Sequence, residues 1–199
     1  MSKDRKQDIL KIAMELFAKK GFRGTTTRDL AAQAGVNEAI IFRHFKTKEE
    51  LYSAILEHKA CEMRDDRFEE IERLAAGNDD LKFFEAIGRT FLERHEADST
   101  FMRLLLFSAL EGHELSEMFL TNMARRNPVA QYIERRIREG AFRQVDPVLG
   151  ARALLGMFVS YLQWQEIFGQ KKAQQYDREE VVRTFVSIFL SGISKGTEQ

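Results

Sequence analysis

The chain has 199 residues, of which 44% are hydrophobic, and its 31 Lys and Arg balance its 31 Asp and Glu. This size suits one helical unit or a small domain joined to a larger one, with enough apolar residues for a core. The single cysteine, Cys61, excludes an internal disulfide framework and fits a reducing compartment. We find no secretion-signal pattern and no stretch near the roughly 18 apolar residues that span a bilayer. We therefore expect a cytoplasmic protein without membrane association.

Positive charge is concentrated in the first third of the chain. Residues 1–60 contain 12 Lys and Arg and 8 Asp and Glu, a net charge of +4, and the remainder carries −4. A basic N-terminal part on a mildly acidic remainder is typical of a nucleic-acid reader whose other part does not touch the polyanion.

The first predicted helix follows a short polar lead, residues 1–6. Apolar residues recur at helical spacing, at Ile9, Ala13, Leu16 and Phe17. Gly21 is a good residue to end this helix because glycine readily takes the left-handed conformation found there.

Residues 25–51 have the pattern of a helix-turn-helix. Thr27 is a candidate cap for its first helix, and residues 34–37, Ala-Gly-Val-Asn, combine a glycine that ends a helix with an asparagine that caps the next. Ile41 and Phe45 form the inward face of the second helix. The opposite face, which would meet DNA, carries Asn37, Glu38, Ala39, Phe42 and Arg43.

A capping box, Thr47-x-x-Glu50, starts a fourth helix with no breaker before Gly77. At 1.5 Å per residue this helix would be about 45 Å long, so we interpret it as a connecting rod. The predicted domains are a DNA-binding head at 1–46 and a helical ligand-binding and dimerisation domain at 47–199, whose residues 47–76 are the connecting helix.

The rest of the chain also has helical periodicity, so the predicted fold class is all-α. Helices are expected at 79–95 and 99–110, and Pro128 should break the run that follows. Asp146-Pro147 begins a helix that continues to about 168, and a last helix covers 177–194.

The last two helices have apolar residues over more than one face. Such helices need cover on two sides, and we expect a homodimer through residues 147–168 and 177–194. Gly150, Gly156 and Ser160 would help the helices to approach closely.

At this point the chain resembles the TetR (tetracycline-repressor-like) family of bacterial transcriptional regulators. The specific resemblance covers roughly residues 8–55, in the order and spacing of Gly21-Phe22, Thr27, Leu30-Ala31, Ala34-Gly35-Val36, Phe42-Arg43-His44-Phe45, Lys48 and Glu50-Leu51. It implies a three-helix head, a helical effector-binding body, dimerisation through the last two helices and, usually, repression.

The resemblance also implies roles for single residues. The family's phosphate contacts correspond to Thr27, Arg28 and Lys48. Its base-facing surface corresponds to Asn37, Glu38, Ala39 and Ile40, and its backbone-contacting positions to Phe42 and His44. Arg43 has an alternative interpretation as an exposed charge, and His44 as a partly buried histidine that holds the helix end.

Two departures from the family pattern concern specificity. The family often has Gly where this chain has Ala39, and Thr or Ser where it has Ile40. Ile40 could meet a thymine methyl group instead. Phe42 replaces a usual Tyr and lacks the hydroxyl that would bind a phosphate.

Many aromatic and sulfur-containing side chains in the body together suggest an apolar pocket, although any one of them taken alone is more often a core residue. The candidate pocket residues are Phe84, Phe91, Met102, Arg103, Leu105, Phe119, Met123, Phe158, Tyr161 and Trp164. Arg89, Glu111 and Gln163 are further candidates for the polar groups that orient a ligand.

The leading hypothesis is a ligand-responsive repressor that binds a palindromic double-stranded DNA operator as a homodimer and is released by an apolar or aromatic small molecule. One alternative is an all-α small-molecule-binding protein or enzyme without a DNA role, and another is an interaction protein that works through its last two helices. The sequence contains no H-E-x-x-H, phosphate loop or nucleophile elbow. His58, His95 and His113 lack metal-ligand spacing, so we expect no catalytic site, metal or cofactor.

Overall fold

A computed structural model of the chain describes residues 2–62, 66–112 and 127–195. Ten α-helices account for most of these residues, and the predicted all-α class is confirmed. The helices are α1 Ser2–Lys20, α2 Thr27–Gln33, α3 Glu38–His44, α4 Lys48–Glu62, α5 Asp66–Ala76, α6 Asp80–Ala97, α7 Thr100–Leu110, α8 Pro128–Arg138, α9 Pro147–Leu162 and α10 Arg178–Ile193. A π-helical turn, Gln163–Ile167, continues α9.

The described helices belong to two compact units. The first unit contains α1 to α4 together with α7, and the second contains α5, α6 and α8 to α10. Residues 63–65, through which the predicted connecting helix would pass, lie outside the described residues. The predicted division between residues 46 and 47 and the continuous rod therefore stay predictions.

The first unit is built around helix α1, in which Ile9, Ala13 and Phe17 are buried as predicted and Leu16 is partly buried. The rings of Phe17, Phe22 and Tyr52 pack together, with centroids 5.0 to 5.7 Å apart. The Tyr52 hydroxyl donates a hydrogen bond to the Leu104 carbonyl at 3.2 Å and so ties α4 to α7. Burial raises the pKa of Tyr52 to about 12, because the charged phenolate is poorly solvated there.

Helix α1 begins at Ser2, so the expectation of a polar lead over residues 1–6 is wrong from Ser2 onwards. Of these residues, Arg5 and Lys6 are exposed, and charged side chains on the solvent side of a helix cost little. The helix ends where expected, since Gly21 takes a positive φ of 76°.

Three consecutive threonines precede and begin helix α2, and each hydroxyl has its own partner. The buried Thr25 donates to the Gly21 carbonyl at 2.8 Å. Thr26, not Thr27, is the N-cap, and it forms a capping box with Asp29. Thr27 donates to the Glu38 carboxylate at 2.7 Å. The expected cap was therefore wrong by one residue.

Side chains also cap other helices. The Asn37 side chain accepts from the Ile40 N–H, and the Thr47 hydroxyl accepts from the Glu50 N–H, both at 3.0 Å. Asp146 caps α9 and Asp177 caps α10. These local bonds fix where each helix begins.

The second unit has an aromatic core. Phe83 stacks on Tyr132 with centroids 3.8 Å apart, and Phe84 packs edge-on against Phe189 at 5.1 Å. Gly88 on α6 lets the buried Phe158 ring of α9 approach the helix backbone, because a Cβ there would lie 2.4 Å from the ring. Helices α6 and α9 are thus in close contact.

Ion pairs connect the helices of the second unit. Arg136 on α8 binds both carboxylate oxygens of Asp80, at 2.7 and 3.0 Å, and Asp80 also accepts from the Tyr132 hydroxyl at 2.7 Å. Arg89 on α6 makes two bonds with Glu179 on α10. None of the helices in the described part of the chain is long and apolar enough to cross a membrane.

Candidate nucleic-acid interface

The turn between α2 and α3 has the geometry that its sequence predicts. Gly35 has a positive φ of 62°, and the Val36 N–H donates to the Ala31 carbonyl at 3.0 Å. Leu30, Ala31 and Ile41 are buried, so α2 and α3 turn their apolar sides to the core of the first unit. The opposite side of α3 remains available for a ligand.

The structure places most of the predicted DNA-facing residues of α3 on this outer side. Phe42 is 45% exposed, and Asn37, Ala39 and Arg43 are also exposed. Ile40 is half-buried because its side chain packs against the core of the first unit. Ile40 is thus partly a core residue.

Glu38, in the first turn of α3, ties α3 to α2. It accepts the Thr27 hydroxyl bond, and its other oxygen lies 3.9 Å from Nε of Arg28, whose side chain is 89% exposed. A carboxylate in this position offsets part of the positive charge of the surface. Thr27, Arg28 and Glu38 form one polar group that joins the starts of both helices.

His44 is half-buried at the end of α3, with its ring centroid 6.5 Å from that of Phe45. Among the described residues, its Nε2 atom is buried and has no hydrogen-bond partner. Both interpretations of His44 therefore stay open.

Lys48 is held by the protein itself. Its Nζ donates to the carbonyls of Phe22 and Thr25, at 2.8 and 3.0 Å, and lies 4.1 Å from the centroid of the Phe22 ring. The family resemblance implied a phosphate contact here, and nothing in the sequence indicated these bonds.

Two further residues make contacts near α2 and α3 that were not predicted, and one of them, Glu111, was expected only as a polar group that orients a ligand. The Glu111 carboxylate accepts from the backbone N–H groups of Phe22 and Arg23, at 2.9 and 3.1 Å. Lys6 places its ammonium 5.3 Å from the centroid of the Phe45 ring. The outward position of Lys6 on α1 was a signal that could have indicated it, whereas nothing in the local pattern around Glu111 indicates its partners.

The candidate effector residues are divided between the two units. In the second unit, Phe84 and Phe158 are fully buried, Phe91 and Tyr161 are half-buried, and Trp164 is exposed. The centroids of Phe91 and Phe158 lie 6.4 Å apart.

In the first unit, Met102 is buried, and Arg103 and Leu105 are half-buried. Phe119 and Met123 lie outside the described residues. Within the described ranges, no group of three or more His, Cys, Asp or Glu side chains could hold a metal ion.

His95, close to the Phe91 ring, is the titratable group of this aromatic region. Its Nδ1 bonds the Phe91 carbonyl at 2.8 Å, and the two ring centroids are 4.4 Å apart. Burial lowers the pKa of His95, because the charged imidazolium loses hydration there.

Two protein-family models match this chain. A model of bacterial regulatory proteins of the tetR family matches residues 9–55, and a model of the AefR-like transcriptional repressor C-terminal domain matches residues 82–192. The HTH-type transcriptional repressor KstR2 of Rhodococcus jostii is 26% identical over 197 residues, which cover 96% of this chain and 91% of that protein.

Other similarities are more local or concern the fold. The HTH-type transcriptional repressor Rv3405c of Mycobacterium tuberculosis is 48% identical over 50 residues. This match covers 25% of this chain and 27% of that relative. The crystal structure of AibR in complex with isovaleryl coenzyme A and operator DNA has a TM-score of 0.70 at 23% identity, covering 92% of this chain and 97% of AibR. With a family match over more than half of its length, this chain belongs to the TetR family of bacterial transcriptional regulators, which are not enzymes.

Proposed function

We propose that the protein is a ligand-responsive repressor that binds a palindromic double-stranded DNA operator as a homodimer. The observation that supports this proposal is the division of α3 into two sides. This short helix exposes Phe42 and Arg43 on its outer side and buries Ile41 on the other. A helix of this kind, after a tight turn, is the reading element of a helix-turn-helix in the major groove.

The proposed contacts divide into two kinds. Asn37 to Ile40, at the start of α3, face the base edges, and Arg28, Arg43, Thr27, Phe42 and His44 face the DNA backbone. Arg28 and Arg43 are exposed cations, so they can neutralise phosphates and release counterions. The phenyl ring of Phe42 supplies contact area without a hydroxyl bond to phosphate.

The proposed dimer forms through residues 147–168 and 177–194. Leu149 on α9 and Ile188 on α10 are 63% and 60% exposed in the protomer. No atom lies within 4 Å of where a Cβ would be placed on Gly156 or Gly192, so the helix surface is flat there. A second copy can approach such a surface closely, and a symmetric pair presents two α3 helices to half-sites about 34–36 Å apart.

We propose an apolar or aromatic effector, because aromatic side chains are numerous in α6, α9 and α10. AibR, a structural neighbour, was crystallised with isovaleryl coenzyme A, which supports small-molecule control in this fold. Effector binding would favour a conformation in which the two reading helices no longer fit successive major grooves, so DNA affinity falls.

The test is fluorescence anisotropy with DNA from upstream of the protein's own gene, at several salt concentrations. We expect site-specific binding by a dimer whose affinity falls steeply with salt. Arg28→Ala should make the dependence of log K on log salt less steep by about 1.8, which is about 0.9 for each of the two protomers. Lys11→Ala, on the exposed side of α1, is the matched control and should leave the slope unchanged. Equal affinity for the upstream DNA and a scrambled duplex would refute the proposal.

A further inference from the structure

The segment of residues 21–25, the α1–α2 turn, determines where α2 begins. Gly21 takes a positive φ, Phe22 is buried, and the buried Thr25 bonds back to the Gly21 carbonyl. Thr26 follows directly as the N-cap of α2. A shift of this turn would therefore displace the N-terminal end of α2 and the DNA-facing residues that it carries.

Lys48 holds this turn from one side. Two of the three N–H donors of its ammonium are directed to the Phe22 and Thr25 carbonyls. The ammonium also lies over the Phe22 ring, in a cation–π position. Each of these three contacts directs the charge of Lys48 to the turn.

Glu111 holds the same turn from the other side. Its two carboxylate oxygens accept the N–H groups of Phe22 and Arg23, and the Arg23 guanidinium donates to the Glu111 carbonyl at 3.2 Å. A Cβ on Gly21 would lie 2.5 Å from Oε1 of Glu111, so the glycine makes room for this carboxylate. Phe22 thus has its N–H bound by an anion and its C=O bound by a cation.

We propose that Lys48 and Glu111 act in DNA binding as positioning residues, which fix the α1–α2 turn and through it the start of α2. This inference rests on the proposed function and changes the role of Lys48 from a phosphate contact to a support. The opposite charges act together, because both hold Phe22 and charge-assisted hydrogen bonds are stronger than neutral ones.

Variants of Lys48 and Glu111 can distinguish a phosphate contact from a positioning residue. Loss of a phosphate contact lowers the salt slope by about 0.9, whereas loss of a positioning residue weakens specific binding at an unchanged slope. Removal of a negative charge should by itself strengthen binding to a polyanion. The positioning role predicts that Glu111→Gln weakens operator binding instead.

The experiment measures operator affinity against salt for the full-length dimer and for Lys48→Met, Glu111→Gln and the double variant. We expect each single variant to bind about tenfold more weakly, with the wild-type slope, and the double variant to lose less than the two losses combined. Lys11→Met controls for loss of a distant charge, and Arg28→Met for loss of a phosphate contact. Circular dichroism establishes that each variant is folded.

A drop of about 1.8 in the slope for the Lys48→Met dimer, about 0.9 for each protomer, or equal or tighter operator binding by Glu111→Gln, would overturn the inference. If Lys48→Met does not fold, the sign of the Glu111→Gln effect decides. Wild-type protein without site-specific binding would instead refute the proposed function. Specific wild-type binding with a lowered slope for both Arg28→Met and Lys48→Met would leave the proposed function intact and refute only the positioning role.

Discussion

Replacement of Gly88 by alanine should destabilise the second unit, although the same change stabilises most helices. Alanine in a helix interior is favoured over glycine by about 1 kcal/mol. Here the new Cβ would lie 2.4 Å from Cζ of Phe158 and 3.0 and 3.1 Å from its two Cε atoms. The Phe158 ring is fully buried, and overpacking of this kind costs about 1–3 kcal/mol. After the helix preference for alanine is subtracted, we expect a net loss of up to about 2 kcal/mol in the free energy of unfolding.

Urea unfolding followed by circular dichroism, at one protein concentration, measures this loss. Phe158→Leu provides the control background, because the smaller side chain leaves room for the Cβ. Gly88→Ala should cost much less in that background than in the wild type, since the two positions are in contact. Equal or greater stability of Gly88→Ala in the wild-type background would refute the steric argument.

Three further predictions concern other parts of the structure. Burial lowers the folded-state pKa of His95, so the stability due to its neutral form is complete above pH 6.5 and is lost as the pH falls below it. His95→Gln should therefore flatten the dependence of the urea-measured free energy of unfolding on pH between roughly pH 7 and 5. An unchanged dependence on pH would contradict this. Asp80→Asn removes the bidentate partner of Arg136, whose side chain is only 12% exposed. It should lower the free energy of unfolding, measured by thermal unfolding, by about 2 kcal/mol. A loss below about 0.5 kcal/mol would indicate an ordinary surface ion pair. Ile188→Glu places a charge on the proposed dimer surface and should yield monomers in light scattering; a retained dimer mass would exclude this part of α10 from the interface.

The helix starts could be predicted from the sequence wherever a single residue could act as the cap. Asn37, Asp146 and Asp177 each stand alone before a helix, and their side chains bond the N–H groups expected of caps. Before α2 the sequence offers neighbouring threonines, and the choice of Thr26 over Thr27 depends on the Asp29 carboxylate that completes the capping box.

The outer side of α3 could also be predicted, because helical periodicity decides which residues face the core. Ile40 departs from that pattern, since its side chain packs partly against the first unit. The surroundings of Lys48 could not be predicted, because they depend on contacts distant in sequence. Glu111 lies 89 residues from Phe22 along the chain, and no local pattern connects them.

Residues 25–27 are three consecutive threonines, yet their side chains have different roles. The hydroxyls bond in turn backwards to Gly21, forwards to Asp29 and across to Glu38. Serine keeps a hydroxyl at each position, whereas valine has nearly the shape of threonine and removes it. Deletion of one threonine would leave a similar composition but put the remaining hydroxyls out of register with their partners. We therefore expect the protein to tolerate a substitution that keeps the hydroxyl better than it tolerates an insertion or deletion in residues 25–27.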